Sequence, residues 1–369
     1  ERGAPRLDAP VELWITTRMT HVFALGTMRG IPGAGALADH GIAALRVPLH
    51  DEDYGGWFAS ATPEGRPVDA GKAGYAHAFV VLAAASATAA GRPGAATLLA
   101  DALEVMERRF WREDEGRCLE QWDREWREPE PYRGANSNMH IVECFLAAAD
   151  ATGEPVWRER ALRIAEHLIH GAARTNRWRL PEHFDESWQV VWDYNTDQRG
   201  HAFRPYGSTV GHWLEWSRLL LHLDAALPAG PAWLVEDARA LFDTAVEVGW
   251  GADGCPGFVY TVDWEDQPVV RERMHWVLAE GIAAAAALAR RTGEERYERW
   301  YRTWWDSAEA RFLDRRHGSW HHELDPSGRP SATVWSGKPD VYHAYQATLL
   351  PQLPLERSLA AALRDQAAR

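Results

Sequence analysis

Cysteine is scarce, with only Cys118, Cys144 and Cys255 in 369 residues. Three scattered thiols cannot build a disulfide framework or a thiolate zinc site. They imply a reducing compartment, so a cytoplasmic location is expected. Basic residues are also short, 40 against 53 acidic, for a net charge of −13. A chain this acidic is poorly suited to phosphate backbones, which argues against a nucleic-acid partner. Long apolar runs are missing. The longest, Ile282 to Leu288, is far too short to span a bilayer, so no membrane association is expected. No signal peptide is visible, and because the chain begins at Glu1 rather than Met, trimming upstream is expected. HExxH, the P-loop, GxSxG and a strand-borne GxGxxG are all absent. Metalloprotease, NTPase, serine-hydrolase and dinucleotide readings therefore have little support.

Tryptophan and histidine are abundant, at 20 and 16 residues. Indole faces pack on sugar C–H surfaces, and imidazole titrates near neutral pH. About half of the tryptophans are expected to do no more than fill a core. Helix signals dominate the rest. Ala-rich segments that are apolar nearly all round (79–90, 142–151, 213–227 and 277–289) alternate with amphipathic ones (34–46, 95–110, 156–170, 234–248 and 295–312). The first kind should lie inside and the second outside. Short Gly/Pro links at 91–94, 152–155, 228–231 and 292–295 follow the interior helices. Long aromatic segments follow the outer ones, and hairpins are expected at 54–60, 116–122, 187–194, 257–264 and 318–324.

This alternation is an internal repeat. A histidine marks the start of each interior helix: His77, His140, His212, His275 and His343, spaced 63, 72, 63 and 68 residues apart. Lys72-Ala-Gly-Tyr-Ala-His77 matches Lys338-Pro-Asp-Val-Tyr-His343, and Trp14 to Arg29 supplies a sixth interior helix carrying Arg18 and His21. Six interior helices alternating with outer ones predict an all-α fold, an (α/α)6 barrel with short β-hairpins in its long loops, formed as one domain over 1–369. The alternatives are a two-domain helical protein and an α-solenoid. The sixth outer helix is expected at 354–368 or upstream of Glu1. In the barrel, the five histidines and Arg18 converge on one cavity lined by helix N-termini, which favour oxyanions and hydroxyl oxygens.

Several segments could carry chemistry there. His212 and Glu215 share a helix face, so Glu215 is the expected partner of that imidazole, with Gly211 allowing close backbone approach. Glu280 sits in an apolar helix and needs a partner, either Arg18 or a histidine. Asn136 and His140 open another helix. His343 is expected opposite His212. The adjacent His321 and His322 project to opposite faces of a strand, so no metal site is expected from them. Glu215, Glu280, Asp340 and Asp193 leave an (α/α)6 glycoside hydrolase open on composition, and a non-catalytic sugar-binding barrel is a further reading.

The motifs Leu13-Trp-Ile-Thr-Thr-Arg18, Tyr54-Gly-Gly-Trp57, Tyr132-Arg-Gly-Ala-Asn136-Ser-Asn-Met-His140, Gly211-His-Trp-Leu-Glu-Trp216, Arg271-Glu-Arg-Met-His-Trp276 and Lys338-Pro-Asp-Val-Tyr-His343 together resemble the N-acylglucosamine 2-epimerase superfamily. Within it they resemble most the branch of mannose isomerases and sulfoquinovose isomerases, over nearly the whole chain. The resemblance implies an (α/α)6 barrel, sugar chemistry without cofactor or metal, and an additional N-terminal helix that this chain lacks. It implies His343 as the base moving a proton between C2 and C1, His212 as the partner acid/base, and Arg18 at the enediolate oxygen. Trp14, Tyr75, Asn136, His140, Glu215, His275, Trp276 and Glu280 would line the site. Ala202, Pro339 and His275 stand where the sulfoquinovose branch has Arg, Gln and Arg. A neutral sugar is therefore expected, with D-mannose ⇌ D-fructose favoured and D-lyxose ⇌ D-xylulose possible in the same pocket. A sugar 2-epimerase or a sulfoquinovose isomerase is the alternative, and the partner is a monosaccharide bound by a monomer or homodimer.

Overall fold

The computed structural model describes residues 9–367. Among these residues twelve α-helices form in chain order: α1 (Leu13–Met28), α2 (Ala34–Arg46), α3 (Gly74–Ala89), α4 (Ala95–Val105), α5 (Ala135–Thr152) and α6 (Val156–Ala165), then α7 (Val210–Ala226), α8 (Trp233–Thr244), α9 (His275–Thr292), α10 (Glu295–Ser307), α11 (Tyr342–Leu349) and α12 (Leu359–Ala367). None is long and apolar enough to cross a membrane. The described chain divides into two compact units. One takes residues 9–165, 185–187 and 356–367, the other 166–184 and 188–355.

In the first unit α1, α3 and α5 pack side by side, and α2, α4 and α6 each pack on one of them. The sequence dictates this division. α3 is buried almost continuously from Ala76 to Ala87, whereas α4 buries only one stripe, Ala95, Leu98, Leu99, Ala102 and Leu103. The second unit repeats the scheme. α7 and α9 pack together, α9 meets α11, and α8 and α10 pack on α7 and α9 respectively. Trp213, Trp216, Tyr297 and Trp304 are fully buried here. Gly153 and Gly293 end α5 and α9 with φ of 78° and 72°, a left-handed turn that glycine makes without a Cβ clash.

The interior helices begin earlier than their apolar runs. Their first turns hold His, Asn, Ser and Tyr, so the hydrophobic signal starts a turn late. Each of four outer helices relaxes at its end into a π-helical turn: Met106–Phe110, Glu166–Ala173, Ala245–Gly249 and Ala308–Phe312. Such turns often mark functional segments, and here each leads into the next long connection. Short antiparallel pairs form in four of the five expected hairpin segments, as in Trp111↔Cys118 and Met274↔Glu323. The fifth, 187–194, forms no strand. It keeps only the isolated bridge Phe184↔Val190 and is otherwise turns, including left-handed Trp188. Helix α12 corresponds to the expected segment 354–368, of which Ala368 lies outside the described residues. It does not flank a single interior helix. It packs on α1, α3 and α5, with Ala360 and Ala361 near Ala85, Ala89, Ala147 and Ala151.

Candidate active site

In the second unit His212 lies in the first turn of α7 and His343 in the first turn of α11, and both are buried. His212 Nδ1 is 2.9 Å from both carboxylate oxygens of Glu182. Glu182 also accepts the Thr209 N–H at 3.1 Å, which ties the carboxylate to the helix start. The expected pairing of His212 with Glu215 is therefore corrected. Glu215 lies 3.4 Å from Arg218 instead. Glu182 is 30 residues upstream on a different segment, and no periodicity could have pointed to it.

His343 Nδ1 is 2.8 Å from Glu280 Oε1. Of the two partners expected for Glu280, a histidine supplies one. Arg218, which sequence reasoning missed, supplies another, with Nε 3.0 Å from Glu280 Oε2. Arg218 thus bridges Glu280 and Glu215 in a core where an unpaired carboxylate would be costly. Glu215, Glu280 and His343 bring three potential metal-ligand atoms within 4.8 Å of one another. The Arg218 guanidinium already lies between the two carboxylates and supplies the positive charge that such a group of ligands would otherwise need.

Trp276 joins the two histidines. Its ring centroid is 5.4 Å from that of His212 and 5.6 Å from that of His343. Gly211 makes this possible, because a Cβ there would fall 2.4 Å from the indole. One indole therefore spaces two imidazoles, and each imidazole is turned by a carboxylate on Nδ1. Such a carboxylate fixes the tautomer and leaves Nε2 for substrate.

His275, the first residue of α9, is buried, with its ring centroid 6.4 Å from that of His343. Burial, then the neighbouring His322 and His343, push its pKa well below the usual histidine value, so it stays neutral.

The first unit holds the other expected residues. Arg18, buried on α1, donates from Nη2 to the Tyr75 hydroxyl at 2.7 Å. Its guanidinium carbon is 4.5 Å from the Phe79 ring centroid, 5.3 Å from that of Trp14 and 5.8 Å from that of Tyr75. His140 lies edge-on to Tyr75 at 5.2 Å and against Phe79 at 4.8 Å. Asn136 is half-buried in the first turn of α5. The cation, the hydroxyl and one imidazole thus share an aromatic surround. Phe79, read only as core in the sequence, is part of it.

One repeat histidine is corrected. His77 is expected at the cavity, yet its Nδ1 lies 2.8 Å from Ala73 O and its Nε2 accepts the Trp57 N–H at 3.2 Å. Trp57, Phe110 and Trp126 enclose the ring. Burial lowers its pKa to about 3. Both nitrogens serve the fold, and none is left for a ligand.

The family model of N-acylglucosamine 2-epimerase matches residues 1–347. The chain is 62% identical to a D-mannose isomerase of Thermobifida fusca, over 98% of this chain and 89% of that one. It is 53% identical to a D-mannose isomerase of Pseudomonas cannabina pv. alisalensis, over 94% and 84%. A crystal structure of D-mannose isomerase superposes with a TM-score of 0.89 at 30% identity, covering 95% of this chain and 89% of that one. The fold class is that of the all-α (α/α)6 barrels with small antiparallel sheets, and the chain belongs to the N-acylglucosamine 2-epimerase family.

Proposed function

We propose that this protein is an aldose–ketose isomerase that interconverts D-mannose and D-fructose without a metal, and that residues 1–369 work as one catalytic domain. The observation that carries the reading is the pair of carboxylate-oriented imidazoles, His343–Glu280 and His212–Glu182, on either side of Trp276. The 62% identity to a D-mannose isomerase supports the choice of sugar.

The chemistry follows from the residues. In the open-chain sugar His343 Nε2 takes the C2 proton, and the C–H electron pair forms the C1=C2 bond of a cis-enediolate. Negative charge gathers on O1 and needs a cation to stabilise it, the role that the family resemblance assigns to Arg18. His212, the acid/base on the oxygen side, first assists ring opening. It then takes the O2 proton and delivers it to O1 as His343 returns its proton to C1, leaving a hydroxyl at C1 and a ketone at C2. Each imidazole ends as it began. A base near neutral pKa is what such transfers need, and a carboxylate on Nδ1 supports the imidazolium formed midway. The free thiols of Cys118, Cys144 and Cys255 support a reducing, cytoplasmic setting.

The test is proton NMR of D-mannose incubated with enzyme in D2O containing EDTA. Fructose should appear, with deuterium entering the transferred position. Glucose as the product would make the protein a 2-epimerase. Activity lost to EDTA and restored by a divalent ion would overturn the metal-free mechanism.

A further inference from the structure

His322 was set aside in the sequence because its neighbour His321 points the opposite way. The structure gives it another use. Strand residues Arg273 and Met274 pair antiparallel with Leu324 and Glu323, and the next step of that register sets His275 opposite His322. There the His322 carbonyl accepts both the backbone N–H of His275, at 3.1 Å, and its ring Nδ1, at 3.2 Å. A carbonyl can only accept, so Nδ1 of His275 carries the proton and Nε2 is a bare lone pair. That Nε2 is buried with no protein partner.

His322 mirrors this arrangement. Its Nδ1 is buried with no protein partner. The Ser336 backbone acts on the ring as an acceptor, which favours the proton on Nε2 and leaves Nδ1 as the second lone pair. The ring is held in place. Trp335 stacks on it at 5.4 Å, and the Glu323 carboxylate fixes Trp335 by accepting the backbone N–H groups of Thr333, Val334 and Trp335 at 2.7–2.9 Å. The two imidazole centroids lie 5.1 Å apart, and that of His275 is 6.4 Å from the proposed base, His343. Burial keeps both rings neutral. Among the described residues the pair belongs to no cluster of three metal-ligand side chains. Two orphaned buried acceptors are costly unless a donor meets them.

We propose that His275 and His322 form a specificity-determining pair, two imidazoles locked as hydrogen-bond acceptors that each receive a hydroxyl hydrogen from the sugar bound beside His343. The same lone pairs would repel a phosphate or carboxylate in that place, so the pair selects neutral sugars. The inference rests on the isomerase reading and adds His322 to the site.

The test compares kcat/KM for D-mannose with that for its 3-, 4- and 6-deoxy analogues, in the native enzyme, His322→Phe and His322→Asn. In the native enzyme at least one analogue should lose roughly 10- to 100-fold. In His322→Phe that analogue's penalty should vanish, with KM for mannose raised and kcat little changed. His322→Asn places an amide oxygen near the position of Nδ1 and should restore both discrimination and KM. Unchanged deoxy penalties in His322→Phe, shown folded by circular dichroism, would overturn the proposal. If His322→Phe fails to fold, the decision falls to His322→Asn, where wild-type discrimination supports the proposal and its loss overturns it. Failure of the native enzyme to convert mannose at all would instead sink the isomerase reading.

Discussion

At the scale of single residues, the two proposed acid/base histidines depend on the carboxylates that hold their Nδ1 atoms. Glu182 accepts from His212 Nδ1 and so presents Nε2 outward. Glu182→Gln would keep the volume but offer an amide that can donate to Nδ1, favouring the wrong tautomer. We expect kcat to fall roughly 100-fold or more with little change in KM, measured by steady-state kinetics with the far-ultraviolet spectrum unchanged. Glu280→Gln should lower kcat similarly. It should also destabilise the protein, because Arg218 would lose one of its two carboxylates in a buried site. His343→Ala and His212→Ala should each abolish turnover and leave the helical spectrum intact. Retained activity in either would remove that residue from the mechanism.

At the scale of elements, the repeat seen in the sequence is a repeat of turns as much as of helices. Lys72 Nζ is 2.9 Å from Asp51 and 3.0 Å from the Gly55 carbonyl, while Lys338 Nζ is 2.6 Å from Asp314 and 2.9 Å from the Gly318 carbonyl. In both, the glycine N–H returns to the aspartate carbonyl at 2.8 Å. A lysine five residues before a histidine thus clamps an Asp-x-x-x-Gly-x-Trp turn to a helix start. The two clamps differ in depth. The Lys72 and Asp51 side chains are fully buried, whereas that of Lys338 is 22% exposed. Lys72→Met should therefore cost about 3–5 kcal/mol of unfolding free energy, and Lys338→Met clearly less, as read from urea midpoints. Burial alone would raise the Asp51 carboxyl, but hydrogen bonds from Arg124 and Lys72 outweigh it and hold its pKa well below the carboxylate range. A depressed carboxylate stabilises the fold above its unfolded pKa, about 4, and loses that contribution as pH falls further. The difference between Lys72→Met and the native protein should shrink accordingly below pH 4.

At the scale of the molecule, buried neutral histidines set the acid limit. Burial lowers the pKa of His21 to about 4 and of His77 to about 3. The unfolded chain takes up these protons below about pH 6.5 and the folded one does not. Stability is therefore full above that pH and declines as pH falls, each ring contributing up to about 1.4 kcal/mol per pH unit near pH 5. Urea midpoints between pH 7 and 5 should fall with that slope, and His77→Gln should flatten it. A midpoint independent of pH over this range would contradict the buried-neutral assignment.

The sequence by itself determined the helices, their alternation and the histidine at each interior helix start. Hydrophobic periodicity and repeat spacing are local properties that survive without knowledge of contacts. Arg18, His212, His343 and Trp276 were legible for the same reason, each lying in a first turn or motif that the repeat marks. Only the tertiary structure decided that Glu182 rather than Glu215 holds His212, that Arg218 bridges Glu280 and Glu215, that both nitrogens of His77 serve the backbone, and that His322 faces His275. Those pairings join segments from 20 to 62 residues apart, apart from the Arg218–Glu215 contact within α7 and the contact of His77 with Ala73, four residues away. A side chain's partner across such distances is set by packing and strand register, neither of which leaves a period in the sequence.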